Sequence, residues 1–172
     1  VLEFIRSLPE QDIFDIRFVS TPRDEVMVEL VETFGATQQA CDASLLSDGT
    51  LRVLAIAAAL LSVEPGTLVI IEEIDNGVHP SRAQMLLQRI RDVANRRELR
   101  VLLTTHNPAL LDALPASALG DVTVCYRDTT AGDSRLVRLR DLSTFPAVVA
   151  QGPLGQLVTQ GIIDRYVKAR SD

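Results

Sequence analysis

The chain has 172 residues, of which 47% are hydrophobic, 23% charged and only 4% aromatic, a composition that excludes a disordered, collagen-like or disulfide-scaffold protein. Its 17 basic residues against 23 acidic ones give a net charge of −6, which excludes a surface that grips nucleic acid on all sides, because phosphate neutralisation needs clustered positive charge. Sixteen of the basic residues are arginine, and Lys168 is the only lysine.

Val1 to Leu8 form a short amphipathic piece. Asp12 to Val19 and Glu25 to Val31 alternate with period two on either side of Thr21-Pro22, which predicts antiparallel strands within residues 1–46. Glu3 to Glu32 hold three arginines against eight acids, a local charge of −5. Ser47-Asp48-Gly49 is a turn and helix-start signal before Thr50 to Val63, a run made almost wholly of Ala, Leu, Ile and Val. So apolar a helix is expected to be buried on nearly every face. Pro65-Gly66 ends it, and Thr67 to Ile71 read as a parallel strand covered on both faces, with Glu72 and Glu73 at its C-terminal end.

Pro80-Ser81 open a second helix that runs to about Arg97, with Leu86, Leu87, Ile90, Val93 and Ala94 facing inward. Arg82, Arg89 and Arg96 recur every seven residues, and residues 82–100 hold six arginines against two acids, a local charge of +4 that suits a DNA or partner surface but is read first as a solvated helix face. Arg100 to Thr104 form another strand, Thr105 to Pro108 a loop, and Ala109 to Leu114 a short helix. The order strand, helix, strand, helix predicts an α/β domain with a parallel sheet. Asp121 to Arg127 and Ser134 to Leu139 read as a hairpin at the edge of that sheet, and from Phe145 short helices are expected to break at Gly152, Gly155 and Gly161.

Cys41 and Cys125 do not make a disulfide framework, there is no charged-then-apolar leader, and no apolar run approaches the roughly 18 residues of a membrane span. A cytoplasmic protein with free thiols and no membrane partner is expected.

Four segments carry candidate chemistry. Leu46-Ser47-Asp48-Gly49-Thr50 places a small polar turn at the start of a helix, where backbone N–H groups, the helix dipole and a glycine suit a phosphate. Leu68 to Glu73 deliver two adjacent carboxylates to a sheet's C-terminal edge, where open α/β sheets hold ligands. Neighbours on a strand point to opposite sides, so Glu72 and Glu73 are expected to do different jobs, one facing a hydrated Mg²⁺ and the other orienting a water. Asp75 to Pro80 form a tight loop directly after them, and His106 in Thr104 to Pro108 can hydrogen-bond a phosphate. Each feature also has an ordinary structural explanation: an N-cap turn, a solvated strand end, a turn before a helix, a satisfied histidine.

Together these segments resemble the second half of an ABC-type AAA ATPase. LSDGTLRVLAIAAAL (Leu46 to Leu60) is similar to the signature motif and its helix, LVIIEEIDNGVHP (Leu68 to Pro80) to the Walker B strand and D-loop, and TTHNP to the switch-histidine loop. The wording is closest to predicted bacterial ATPases related to OLD nucleases and to SMC and recombination-repair ATPases. The resemblance implies ATP and Mg²⁺ as cofactors, Glu73 as general base, Glu72 at the metal in place of the usual Asp, and His106 as the switch histidine. It also implies that Ser47, Asp48, Gly49 and Thr50 meet the γ-phosphate held by an opposite protomer, with Asn76 and Gly77 on the D-loop. His79 departs from the family's usual terminal Asp. The implied fold is the C-terminal lobe of the ATPase: mainly parallel sheet flanked by helices, antiparallel strands at the N-terminus and an edge hairpin at the C-terminus.

No G-x-x-x-x-G-K-[ST] string occurs, and Lys168 has no glycine loop before it. The expectation is therefore a single domain over residues 1–172, divided into strand region 1–46, motif core 47–114 and hairpin with terminal helices 115–172, whose P-loop lobe precedes Val1 in a longer protein. Such a chain is inactive alone and works as a homodimer with composite ATP sites, with DNA or a nuclease as a further candidate partner. Two other readings stay open: a partner-binding module that has lost catalysis, and a metal-dependent phosphoesterase using Glu72, Glu73, Asp75, His79 and His106.

Overall fold

The computed structural model describes residues 1–8 and 12–168, the side chains of residues 80, 81 and 83 excepted. These residues divide into two compact units, Val1–Thr105 and His106–Asp172.

In the first unit, helix α1 (Leu2–Arg6) packs on β1 (Ile13–Ser20). β1, β2 (Val26–Phe34) and β3 (Thr37–Asp42) make an antiparallel sheet in that order, so the predicted period-two strands are present and a third follows them. The turn between β2 and β3 is built on Gly35, whose φ of 60° a side chain would resist. The sheet is anchored at one end only: Ile13, Leu30 and Val31 are buried, whereas Phe18, Val26 and Phe34 stand 72%, 64% and 59% exposed.

Helix α2 (Asp48–Ser62) begins where Ser47 accepts the Thr50 N–H in an N-cap bond, with Asp48 in the first turn against the positive end of the helix dipole. Val53, Ile56, Ala57 and Leu60 are buried, but Leu51, Ala55 and Ala58 face out. The expectation of burial on nearly every face is corrected: the helix packs on one side, and most of its outer apolar positions are alanine, which costs little to expose.

At the C-terminal end of α2 the Arg97 guanidinium donates to the Val63 carbonyl at 2.5 Å, and Gly66, at φ 80°, turns the chain into β4 (Leu68–Ile71). Helix α3 (Pro80–Arg96) follows, with Leu86, Leu87, Ile90, Val93 and Ala94 buried as its periodicity requires, and leads into β5 (Arg100–Leu103). β4 and β5 pair in parallel, Leu68 opposite Arg100 through Ile71 opposite Leu103. Val69 and Ile71 are buried, while Leu68, Ile70 and Leu102 are 48%, 57% and 52% exposed. The apolar run is therefore covered on one face, not both. "Mainly parallel" is likewise corrected: of the three sheets among the described residues, only the two-stranded β4–β5 pair is parallel.

In the second unit, α4 (Pro108–Asp112) starts at Asn107, whose side chain accepts the Ala109 N–H, and α5 (Ala116–Leu119) follows. β6 (Thr123–Arg127) and β7 (Ser134–Arg138) form the predicted hairpin, but as a sheet of their own, not as the edge of a larger one. α6 (Phe145–Val149), α7 (Leu154–Thr159) and α8 (Ile162–Lys168) bury Val148, Leu154, Leu157, Ile163 and Val167 together with Leu139 and Leu142 in one apolar cluster. Gly155 does not break a helix. It lies buried inside α7, where the Asp112 carboxylate accepts its N–H at 2.6 Å, in place of the N-cap that Pro153 does not supply.

A Cβ on Gly155 would lie 2.0 Å from the Pro108 carbonyl oxygen and 2.8 Å from the Asp112 carboxylate. Gly155→Ala must force α4 and α7 apart and is expected to destabilise this unit by about 1–3 kcal/mol, read as a lower urea midpoint; an unchanged midpoint would count against the packing described. At the hairpin tip the Ala131 and Thr130 N–H groups, and to a smaller degree the Arg135 charge, hold the Asp128 carboxyl below its ordinary value. Because the folded-state value is depressed, this contribution is complete above the unfolded value of about 3.9 and is lost as pH falls through the folded one. Asp128→Asn is expected to lower the urea midpoint at pH 7 and to matter progressively less below about pH 4; an equal effect at pH 7 and pH 3 would contradict it.

Candidate functional site

The sequence motifs of the first unit converge on the end of β4. Its last residue, Ile71, accepts the Thr104 N–H at 3.0 Å through its carbonyl, and the Glu73 N–H donates to the Thr104 hydroxyl at 2.9 Å. Ile74 N–H then returns to the Thr104 carbonyl at 3.1 Å. From the other side the Arg52 guanidinium, one turn into α2, donates to the carbonyls of Glu72 and, at 2.7 Å, of Glu73. Two residues of backbone are thus held between a helix and a strand end while both carboxylates remain exposed.

The strand stops at Ile71, so Glu72 and Glu73 are not strand neighbours on opposite faces as expected. Glu73 instead has φ 46°, in the left-handed region that a side chain with a Cβ avoids at a cost of about 1–2 kcal/mol. The bonds from Arg52 and Thr104 hold it there.

The loop after it is a succession of tight turns, in which Asn76 N–H bonds the Glu73 carbonyl and Val78 N–H the Asp75 carbonyl. Thr105 donates to Asp75 at 2.5 Å, tying this loop to the segment after β5. Gly77 sits at φ 74° against the first turn of α2: a Cβ on Gly49 would lie 2.1 Å from the Gly77 carbonyl oxygen, and one on Gly77 would lie 3.1 Å from the Gly49 nitrogen. The first turn of α2 and the loop after β4 therefore touch backbone to backbone, and each glycine is needed for the other. Ser47, Asp48 and Asn76 are exposed and Thr50 is nearly buried, its hydroxyl 3.0 Å from that of Ser47.

His79 is exposed at the end of the loop, and the Pro80-Ser81 helix start holds in the backbone, with both side chains outside the described residues. His106 is the first residue of the second unit and is exposed there. Sequence reasoning missed Arg52, although its signal was present: it is the only charged residue between Thr50 and Val63. It also missed Thr104 and the pairing of the two glycines. Among the described residues no three His, Cys, Asp or Glu side chains gather as a metal cage, and no helix is long and apolar enough to cross a membrane.

Gly49→Ala tests this architecture directly. It is expected to lower stability by about 1–3 kcal/mol, because the clash is with backbone and no side chain can swing away; a midpoint within error of the unsubstituted chain would refute the contact.

The fold has solved counterparts. A structure from work on ATP-driven dimerization and DNA-stimulated activation of SMC ATPases superposes with a TM-score of 0.53 at 14% identity, over 78% of this chain and 76% of that one. The Smc head domain of Pyrococcus furiosus, with an extended coiled coil and bound to the C-terminal domain of ScpA, superposes with a TM-score of 0.52 at 13% identity, over 84% of this chain and 35% of that one. No curated protein matches. A family model described as "AAA domain, putative AbiEii toxin, Type IV TA system" matches residues 3–112, well over half of the chain. The chain belongs to this AAA-domain family and is an ABC-type AAA ATPase relative.

Proposed function

We propose that this chain supplies the signature turn, Walker B carboxylates, D-loop and switch histidine of an ATP-hydrolysing site, and that a P-loop lobe completes the site. The observation that carries the reading is the strained, doubly held Glu73, whose carboxylate is exposed at a strand's C-terminal end. A left-handed glutamate held by bonds from two other segments is the kind of local cost found where a side chain must be aimed.

In this reading Glu73 accepts a proton from, and orients, the attacking water. Glu72 is the carboxylate for Mg²⁺, which takes one or two such ligands and fills its remaining positions with phosphate oxygens and water, so a larger protein cage is not required. Bound ATP·Mg²⁺ supplies the γ-phosphoryl group and the divalent charge that neutralises it. Ser47, Asp48, Gly49 and Thr50 at the start of the 15-residue α2 face the phosphate of a nucleotide held by an opposing copy, with Asn76 and Gly77 beside them at the same seam. His106, which opens the second unit, is the candidate switch histidine. The chain acts in a homodimer, with DNA or a nuclease as a further partner.

The 172 residues alone are expected to show no ATP turnover above background, since they hold no G-x-x-x-x-G-K-[ST] string. In a protein that joins them to a P-loop lobe, Glu73→Gln is expected to keep ATP binding and to lower kcat by about 10²-fold or more, the usual worth of a general base. Turnover by the isolated chain, or an unchanged kcat in that variant, would sink the proposal.

A further inference from the structure

On the first unit, α1, the end of α2 and the C-terminal half of α3 enclose a groove of about 540 Å³, away from the end of β4. Its lining is mixed, with Glu3 and Ser7 beside apolar and cationic side chains. Phe4, Leu61 and Val93 are apolar, and Arg89, Arg96 and Arg97 are cationic. Two of the arginines already have work to do: Arg97 caps α2 at Val63, and the Arg96 Nε–H donates to the Asp92 carbonyl. Arg89 is half-buried and makes no hydrogen bond or ion pair among the described residues. The Arg97 Nε is also buried with no partner.

We propose that this groove docks a short acidic segment of a partner protein, one that carries an apolar side chain between carboxylates. A half-buried guanidinium with its donors unused is complementary to a carboxylate, which can meet its planar fork with two parallel hydrogen bonds. The apolar part of the lining asks for a second feature of the same ligand, an aliphatic or aromatic anchor that covers the partly exposed Leu61 over the buried Phe4 and Val93. A duplex phosphate backbone has no such apolar anchor. The acidic balance of the whole chain, at −6, likewise favours a small acidic ligand at one basic point over a long polyanion. The proposal is independent of the nucleotide reading, and its test requires no ATP.

The experiment is selection of a randomised nonapeptide library on the immobilised 172-residue chain, followed by anisotropy titration of the enriched peptide carrying a fluorophore. Enrichment of Asp or Glu flanking an apolar residue is expected, with binding about tenfold weaker to Arg89→Glu and to Arg96→Glu and unchanged in Arg17→Glu, an exposed arginine on β1. Urea midpoints confirm that the variants fold, and Arg89→Gln replaces the glutamate variant if it does not. An enriched set without acids, equal affinity for the Arg89 variants, or tighter binding of a 20-base-pair duplex that displaces the peptide would each overturn the proposal.

Discussion

The first unit depends on one close approach. The first turn of α2 and the loop after β4 meet where Gly49 and Gly77 leave no room for a Cβ on either backbone. That contact brings Arg52 within reach of the carbonyls of Glu72 and Glu73, and those bonds, with Thr104 on the far side, fix where the two carboxylates leave the strand. Widening the gap by one methyl group would uncouple the helix from the strand end even if every apolar contact of the core survived. Gly49 and Gly77 thus have a structural task inside a single copy, whatever ligand their outer surface meets.

The parallel pair beneath this junction is unusually open. A two-stranded parallel sheet with Leu68, Ile70 and Leu102 largely exposed has satisfied one face and left the other apolar. The same asymmetry appears in α2, where Val53, Ile56 and Leu60 are buried while Leu51 is outside. Parallel sheets are ordinarily covered on both faces. An apolar run tells a reader that a strand wants cover on both sides; it does not say whether the same polypeptide provides it. This is why Thr67 to Ile71 were legible as a strand and misread in their environment.

Much of the rest was legible for the reason that periodicity reports burial. The inward set of α3, Leu86 to Ala94, follows from spacing alone, and so do the strands on either side of Thr21-Pro22 and the hairpin around Gly132. Gly155 was misread because glycine carries two meanings: a chain break, or a place where another backbone comes near, and only the position of α4 decides between them. Glu72 and Glu73 were identified as a pair, but the alternation rule holds only while the strand lasts, and it ends one residue earlier. The left-handed backbone of Glu73 is a tertiary effect, imposed by partners 21 residues before and 31 residues after it in the chain.

The preference for arginine over lysine also acquires a physical meaning. Arg6 donates to the carbonyls of Ile13 and Phe14, Arg52 to those of Glu72 and Glu73, Arg97 to Val63, Arg127 to Gly132 and Arg140 to Gly120. In each case a guanidinium ties down backbone oxygens at a strand end, a helix end or a turn, and Arg6 and Arg52 each span two of them at once. A lysine ammonium is a compact, strongly hydrated point charge that pays more to leave water and cannot present a planar fork to two neighbouring carbonyls. In a fold of short strands and short helices, whose ends outnumber their middles, carbonyl groups without a ladder partner are common, and arginine is the side chain suited to satisfy them. Arg89 stands out against that pattern, since it is as sheltered as Arg52 and Arg97 and, among the described residues, its donors are unused.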